Sequence, residues 1–139
     1  MSHSRLIWKL EHRGGVKGGL LKWMKDFLYE RQMSTVIRGR HSEWKQVTSG
    51  VPQGSVLAPI MFIIYINDLG THISPDSYLN MFADNAKMQR QVKTEDSCLS
   101  LQNDIVKLFE WSCTWNMEFN TKKCHVVRKV KDDLWSNTS

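Results

Sequence analysis

The chain is 139 residues long, enough for one domain of ordinary size, and its 41% hydrophobic and 24% charged residues give it a globular rather than disordered composition. Its formal charge of +5 is uneven: residues 1–50 hold ten Lys/Arg against four Asp/Glu, whereas residues 51–100 hold three against five. A bilayer span of roughly 20 apolar residues is excluded, as are an apolar signal core behind Met1-Ser2-His3-Ser4-Arg5 and a C-x-x-C pair among the three cysteines, so a reducing, intracellular compartment is expected.

Residues 4–12 place Leu6, Ile7 and Leu10 on one helical face, and Gly14-Gly15 stops that helix. A second amphipathic helix is predicted over Gly19–Arg31. There Leu20, Leu21, Met24, Phe27 and Leu28 recur at three- and four-residue spacing, with Lys22, Lys25 and Glu30 opposite. Residues 33–37 and 43–48 read as short strands of a β-hairpin whose basic turn is Arg38-Gly39-Arg40-His41. Ser49–Ser55 is a loop by its turn residues. Ser55 is the expected N-cap of a helix through Leu69, ended by Gly70, with Pro59 tolerated near its first turn. This helix is apolar nearly all round and is expected to lie in the core. Residues 78–83 read as a strand, Asp84-Asn85 as a tight turn and residues 86–92 as the return strand. Thr94 is expected to cap a long helix with Leu101, Ile105, Leu108, Ser112 and Trp115 as its buried stripe. Residues 123–130 suggest one more strand, and residues 131–139 a polar tail. The scattered histidines His3, His12, His41, His72 and His125 read as surface residues. Helices mixed with antiparallel hairpins make this an α+β fold.

Two segments carry candidate chemistry. Asp84 puts a carboxylate at the tip of a hairpin that emerges from an apolar strand, although Asp and Asn are also ordinary turn residues that tolerate positive φ. In Ser49-Gly50-Val51-Pro52-Gln53-Gly54-Ser55, two glycines allow close approach of a ligand, Pro52 stiffens the loop and Gln53 offers both donor and acceptor. A helix N-terminus follows, which suits phosphate or sugar contacts, and the same loop also reads as a plain connection from hairpin to helix. The basic first third suits a polyanion such as nucleic acid, or is a solvated basic face.

Together these segments carry a resemblance. Ser49 to Ser55, running into Leu57-Ala58-Pro59-Ile60-Met61-Phe62-Ile63-Ile64-Tyr65-Ile66-Asn67-Asp68-Leu69, resembles the reverse transcriptases of non-LTR (LINE-type, jockey-like) retrotransposons. Phe82-Ala83-Asp84-Asn85 falls where that family has its aromatic-x-Asp-Asp box. His3 to Leu10, Leu20 to Leu28, Leu101 to Asp104, Trp111 to Trp115 and Met117 to Cys124 agree in order and spacing, so that the likeness covers roughly residues 2–127.

The resemblance implies a partial right-hand polymerase, with fingers and palm segments over residues 1–130 and antiparallel hairpins packed by helices. In such enzymes two Mg²⁺ ions are clamped by carboxylates from separate palm strands. Carried over by position, Asp84 is the first acid of the box and a metal ligand, and Asn85 stands at the second. Pro52, Gln53, Gly54 and Ser55 would border nucleotide and template, Phe82 the primer terminus, and Lys123 the triphosphate. The implied partners are an RNA template and a DNA primer, with no membrane, and with dependence on further segments of the domain.

The same comparison shows departures. The family's other metal-binding aspartate lies on a strand just ahead of the segment like Ser2-His3-Ser4-Arg5-Leu6, where this chain begins. Asn85 brings no negative charge to a divalent ion. The likeness fades after Val127. The resemblance therefore implies a reverse transcriptase-like domain fragment without polymerase activity of its own. The alternatives are a non-catalytic nucleic-acid-binding remnant and a translated element fragment with no selected role.

Overall fold

A computed structural model describes residues 1–128 of the chain. Helix α1 (His3–His12) buries Leu6, Ile7 and Leu10, the face expected from their spacing. Its end is tight: the Gly14 N–H bonds to the Lys9 carbonyl at 2.9 Å. A Cβ on Gly14 would stand 2.9 Å from the Leu10 carbonyl oxygen and 3.1 Å from Ile64 Cγ2, so glycine lets the chain pass at van der Waals distance. Helix α2 (Gly18–Leu28) buries Leu21, Met24 and Leu28. It stops short of the expected Arg31 because Tyr29 is extended and Glu30 takes a φ of 59°. Leu20 faces solvent, not the core.

The basic hairpin is shorter and differently phased than expected. Strands β1 (Gln32–Met33) and β4 (Lys45–Gln46) pair at its base, and β2 (Val36–Ile37) and β3 (Arg40–His41) at its tip. Ile37 pairs with Arg40, so the turn is Arg38-Gly39 alone and the expected turn residues Arg40 and His41 belong to a strand. All eight strand residues are exposed.

Helix α3 (Leu57–Ile66) corrects the expectation of an all-round core helix. Ala58, Met61, Tyr65 and Ile66 are buried, whereas Ile60 and Ile63 lie on the opposite side and are exposed. Ser55 does cap the first turn, its Oγ accepting the Ala58 N–H at 3.2 Å. The helix ends at Ile66, and a 3₁₀ turn follows over Leu69–His72.

Strands β5 (Ser77–Phe82) and β6 (Asn85–Arg90) form a full antiparallel ladder, from Ser77 opposite Arg90 to Phe82 opposite Asn85. This register makes Ala83-Asp84 the two-residue turn and moves Asn85, expected in the turn, onto the return strand. Ala83 has the positive φ, 51°, that two-residue hairpin turns demand. Helix α4 (Glu95–Trp115) begins with a capping box between Thr94 and Ser97 and ends at Asn116 in the left-handed conformation. Its buried stripe is Asp104, Leu108, Trp111 and Ser112. The expected Ile105 is exposed, because the face turned to the core is set by the two polar residues of the stripe as much as by its apolar ones.

Residues 124–128 carry no strand, contrary to expectation: the chain leaves a 3₁₀ turn at Thr121–Lys123 and continues unpaired. The remainder of that expected strand, and the expected tail at 131–139, lie outside the described residues. Helices with three small antiparallel pairs make the architecture α+β, as expected. No described helix is long and apolar enough to cross a membrane.

Two polar networks hold the elements together. Lys9 is fully buried, and its Nζ donates to the Tyr65 carbonyl at 2.6 Å and to Asp68 Oδ1 at 2.5 Å. The same ammonium lies 3.9 Å from the Trp115 ring centre and 4.5 Å from that of Trp111, whose Nε1–H donates to Asp68 Oδ1 at 3.0 Å. The Tyr65 hydroxyl donates to the Trp115 carbonyl. Burial pulls the Lys9 pKa down while Asp68 pulls it back, and burial pushes Tyr65 up to about 12, so it remains a neutral donor. The second network centres on buried Asp104, which accepts from the Ser74 N–H, Ser74 Oγ and Ser77 Oγ at 2.9, 2.5 and 2.6 Å. Arg90 lies 3.6 Å from the same carboxylate and reaches Asp76 at 3.3 Å.

His3 corrects the expectation of five surface histidines. It is buried, and its Nε2 meets the Gly50 carbonyl at 2.8 Å, while Gly50 N–H bonds back to Met1. The other four are exposed. The start of α1 thereby holds the root of the 49–55 loop.

Candidate functional site

The loop and the hairpin tip meet across one cleft. A cavity of about 870 Å³ is lined by Gln53, Gly54 and Ser55 on one side and by Met81, Phe82, Ala83 and Asp84 on the other. Its floor is the outer face of α3, with Pro59, Phe62 and Ile63, and Val56 just before the helix. The loop is braced from within: Ser55 Oγ donates to the Pro52 carbonyl at 2.9 Å while accepting from Ala58, and Gly54 takes a φ of 81°. Phe82 is 83% exposed at the rim, a planar ring free to stack.

Five of the residues singled out in the sequence line this cavity: Gln53, Gly54, Ser55, Phe82 and Asp84. Three do not. Pro52 is half-buried behind the loop, Asn85 is the first residue of β6, and Lys123 is exposed in the 3₁₀ turn after α4. What the sequence reading missed is the floor. Val56, Phe62 and Ile63 read as core because the helix is apolar nearly all round, yet a helix of that kind has two faces to cover and the fold covers one.

Electrostatically the cleft is sparse. Asp84 is exposed, and its Oδ1 accepts from the Asn85 side-chain amide at 3.3 Å. Among the described residues no group of three or more His, Cys, Asp or Glu could hold a metal ion. Mg²⁺ needs several converging oxygen ligands, and one carboxylate beside one amide does not supply a clamp for two such ions.

Comparison with known proteins decides the family. The model of the reverse transcriptase (RNA-dependent DNA polymerase) family matches residues 2–133, past the point near Val127 where the likeness of motifs fades. The chain belongs to the reverse transcriptase family. It is 31% identical over 108 residues to the RNA-directed DNA polymerase from mobile element jockey of Drosophila melanogaster, covering 73% of this chain and 12% of that protein. It is 28% identical over 116 residues to the jockey polymerase of Drosophila funebris, covering 76% of this chain and 12% of that protein. The "Probable RNA-directed DNA polymerase from transposon X-element" of Drosophila melanogaster is 29% identical over 108 residues, covering 75% and 12%. The chain thus spans about an eighth of the length of these curated relatives. No solved structure matches it significantly.

Proposed function

We propose that this chain is the part of a non-LTR retrotransposon reverse transcriptase in which fingers and palm segments meet around the incoming nucleotide. One observation carries the reading: the Gln53-Gly54-Ser55 loop and the Phe82-Asp84 tip, far apart in sequence, face each other across the cavity over α3. In that role Gln53 and Gly54 border template and nucleotide, Phe82 stacks near the primer terminus and Asp84 is the acid of the metal box. Lys123 lies outside the cleft and has no part in this proposal.

On this reading the chain holds an RNA–DNA primer–template and does not extend it. A single carboxylate in the cleft falls short of the three that the family's two-ion clamp uses, and an amide at position 85 adds no charge. Primer extension on an RNA template, with labelled deoxynucleotide and Mg²⁺, is expected to give no product from the wild-type chain. Asn85→Asp alone is expected to give none either, because two adjacent carboxylates still leave the clamp short. Mg²⁺-dependent incorporation by the unmodified chain would overturn this inactivity while leaving the placement of the nucleotide in the cleft intact.

A further inference from the structure

The tip of the β2–β3 hairpin is a cationic surface, none of whose residues lines the cleft. Thr35, Ile37, Arg38, Arg40, His41 and Ser42 line a shallow concavity there. Arg38 and Gly39 form its turn with φ of 50° and 75°, positive at both positions. Such turns favour Asn or Asp followed by Gly, so the turn gives no conformational reason for an arginine; it imposes a cost on one. Among the described residues neither Arg38, Arg40 nor Lys45 forms an ion pair with a carboxylate. Ile37 is 68% exposed between these cations, apolar surface of the kind that covers sugar and base faces. A strained arginine, a second arginine two residues on, further polar groups from Thr35 and His41, and no carboxylate paired with either arginine together match a chain of phosphates.

We propose that this hairpin grips the sugar–phosphate backbone of a nucleic acid strand, with Arg38 and Arg40 each on a phosphate. The inference rests on the hairpin alone and holds whether or not the cleft binds nucleotide. The test is fluorescence anisotropy of a labelled 20-nucleotide RNA with the full chain, without nucleotide or metal, over a range of salt. The informative variant is Arg38→Asn/Arg40→Thr, because Asn suits the turn and the hairpin is expected to fold at least as well. It should bind about tenfold more weakly, with a salt slope lower by about 1.4, the release of counterions from two phosphates of a single strand. The control Arg13→Gln/Lys93→Gln removes the same charge elsewhere and should bind as the wild type does. An unchanged affinity and slope in the hairpin variant, an equal loss in the control, or no binding by the wild type overturns the proposal. Equally tight competition by polyglutamate also overturns it, because the surface would then select an acidic polypeptide. Nucleotide incorporation in the primer-extension assay bears separately on the cleft and leaves this test of the hairpin unaffected.

Discussion

A fully buried lysine is the feature of this molecule that its sequence conceals best. Lys9 sits on the polar side of the 4–12 pattern, yet it is fully buried between Tyr65, Asp68, Trp111 and Trp115. Its stem packs as hydrocarbon, and its ammonium is neutralised by one carboxylate and two indole faces. Breaking a buried pair by removing one partner leaves the other charge without compensation, a larger effect than the pair's net contribution. Lys9→Met is therefore expected to destabilise the chain by about 3 kcal/mol. Lys9→Met with Asp68→Asn should recover most of that loss. Urea denaturation followed by tryptophan fluorescence measures both. Equal loss in the single and double variants would show that the indole contacts, and not the ion pair, dominate. No spacing rule finds such a residue: the pattern assigns charge to the outside, and only the aromatic cluster assembled from α4 brings it in.

At the scale of elements, the β5–β6 hairpin is attached by its base. Ser77 is its one buried residue, and Leu79 and Met88 are half-buried, while the outer half that carries Phe82 and Asp84 projects over the cleft. Asp104 ties that base to α4 through Ser74 and Ser77, with Arg90 alongside from β6. Burial pushes the Asp104 carboxyl up, but the hydrogen bonds from Ser74 and Ser77 and the Lys107 charge outweigh it and hold it below its usual range. A carboxyl depressed in the folded state contributes stability above its unfolded pKa, about 3.9, and loses it as pH falls through the folded value. Asp104→Asn is accordingly expected to flatten the acid limb of the stability profile below about pH 4. It should also speed amide exchange along residues 77–82 and 85–90 at neutral pH, as hydrogen-exchange mass spectrometry would show. A parallel acid limb in the variant would count against this anchor. The strands themselves were readable from their residues and from turn chemistry, as were α1 and the Thr94 cap. The register was not: the ladder closes with Phe82 opposite Asn85, one residue earlier than the Asp-Asn pair suggests, because positive φ falls on Ala83. The basic hairpin differs in another way: its turn is Arg38-Gly39, the first two of the four residues expected.

Across the whole molecule, apolar side chains stand out on several faces. Trp23 and Leu20 on α2, Ile60 and Ile63 on α3, Phe82 on the hairpin and Phe109 on α4 are all exposed. Ile63 and Phe82 belong to the cleft, and the others leave apolar surface open to solvent. The purified chain is expected to enhance the fluorescence of 8-anilinonaphthalene-1-sulfonate in native buffer, and still to unfold cooperatively in urea. Dye binding with a non-cooperative transition would instead mark a loosely packed state. Family and cleft were legible in the sequence because they reside in short, ordered motifs. The floor of the cleft and the two buried polar networks were not; the networks arise only when segments 27 to 59 residues apart come together.

Helix α3 has a consequence of its own. One side of it, Met61 and Tyr65, belongs to the core, and the other, Phe62 and Ile63, is the floor of the cleft. Core and cleft therefore share a single rigid rod one helix thick. Whatever occupies the cleft binds only while that rod is in place, so by mass action each tenfold excess of ligand over its dissociation constant adds about 1.4 kcal/mol to the folded state. The molecule's melting point is in this sense a gauge of its occupancy.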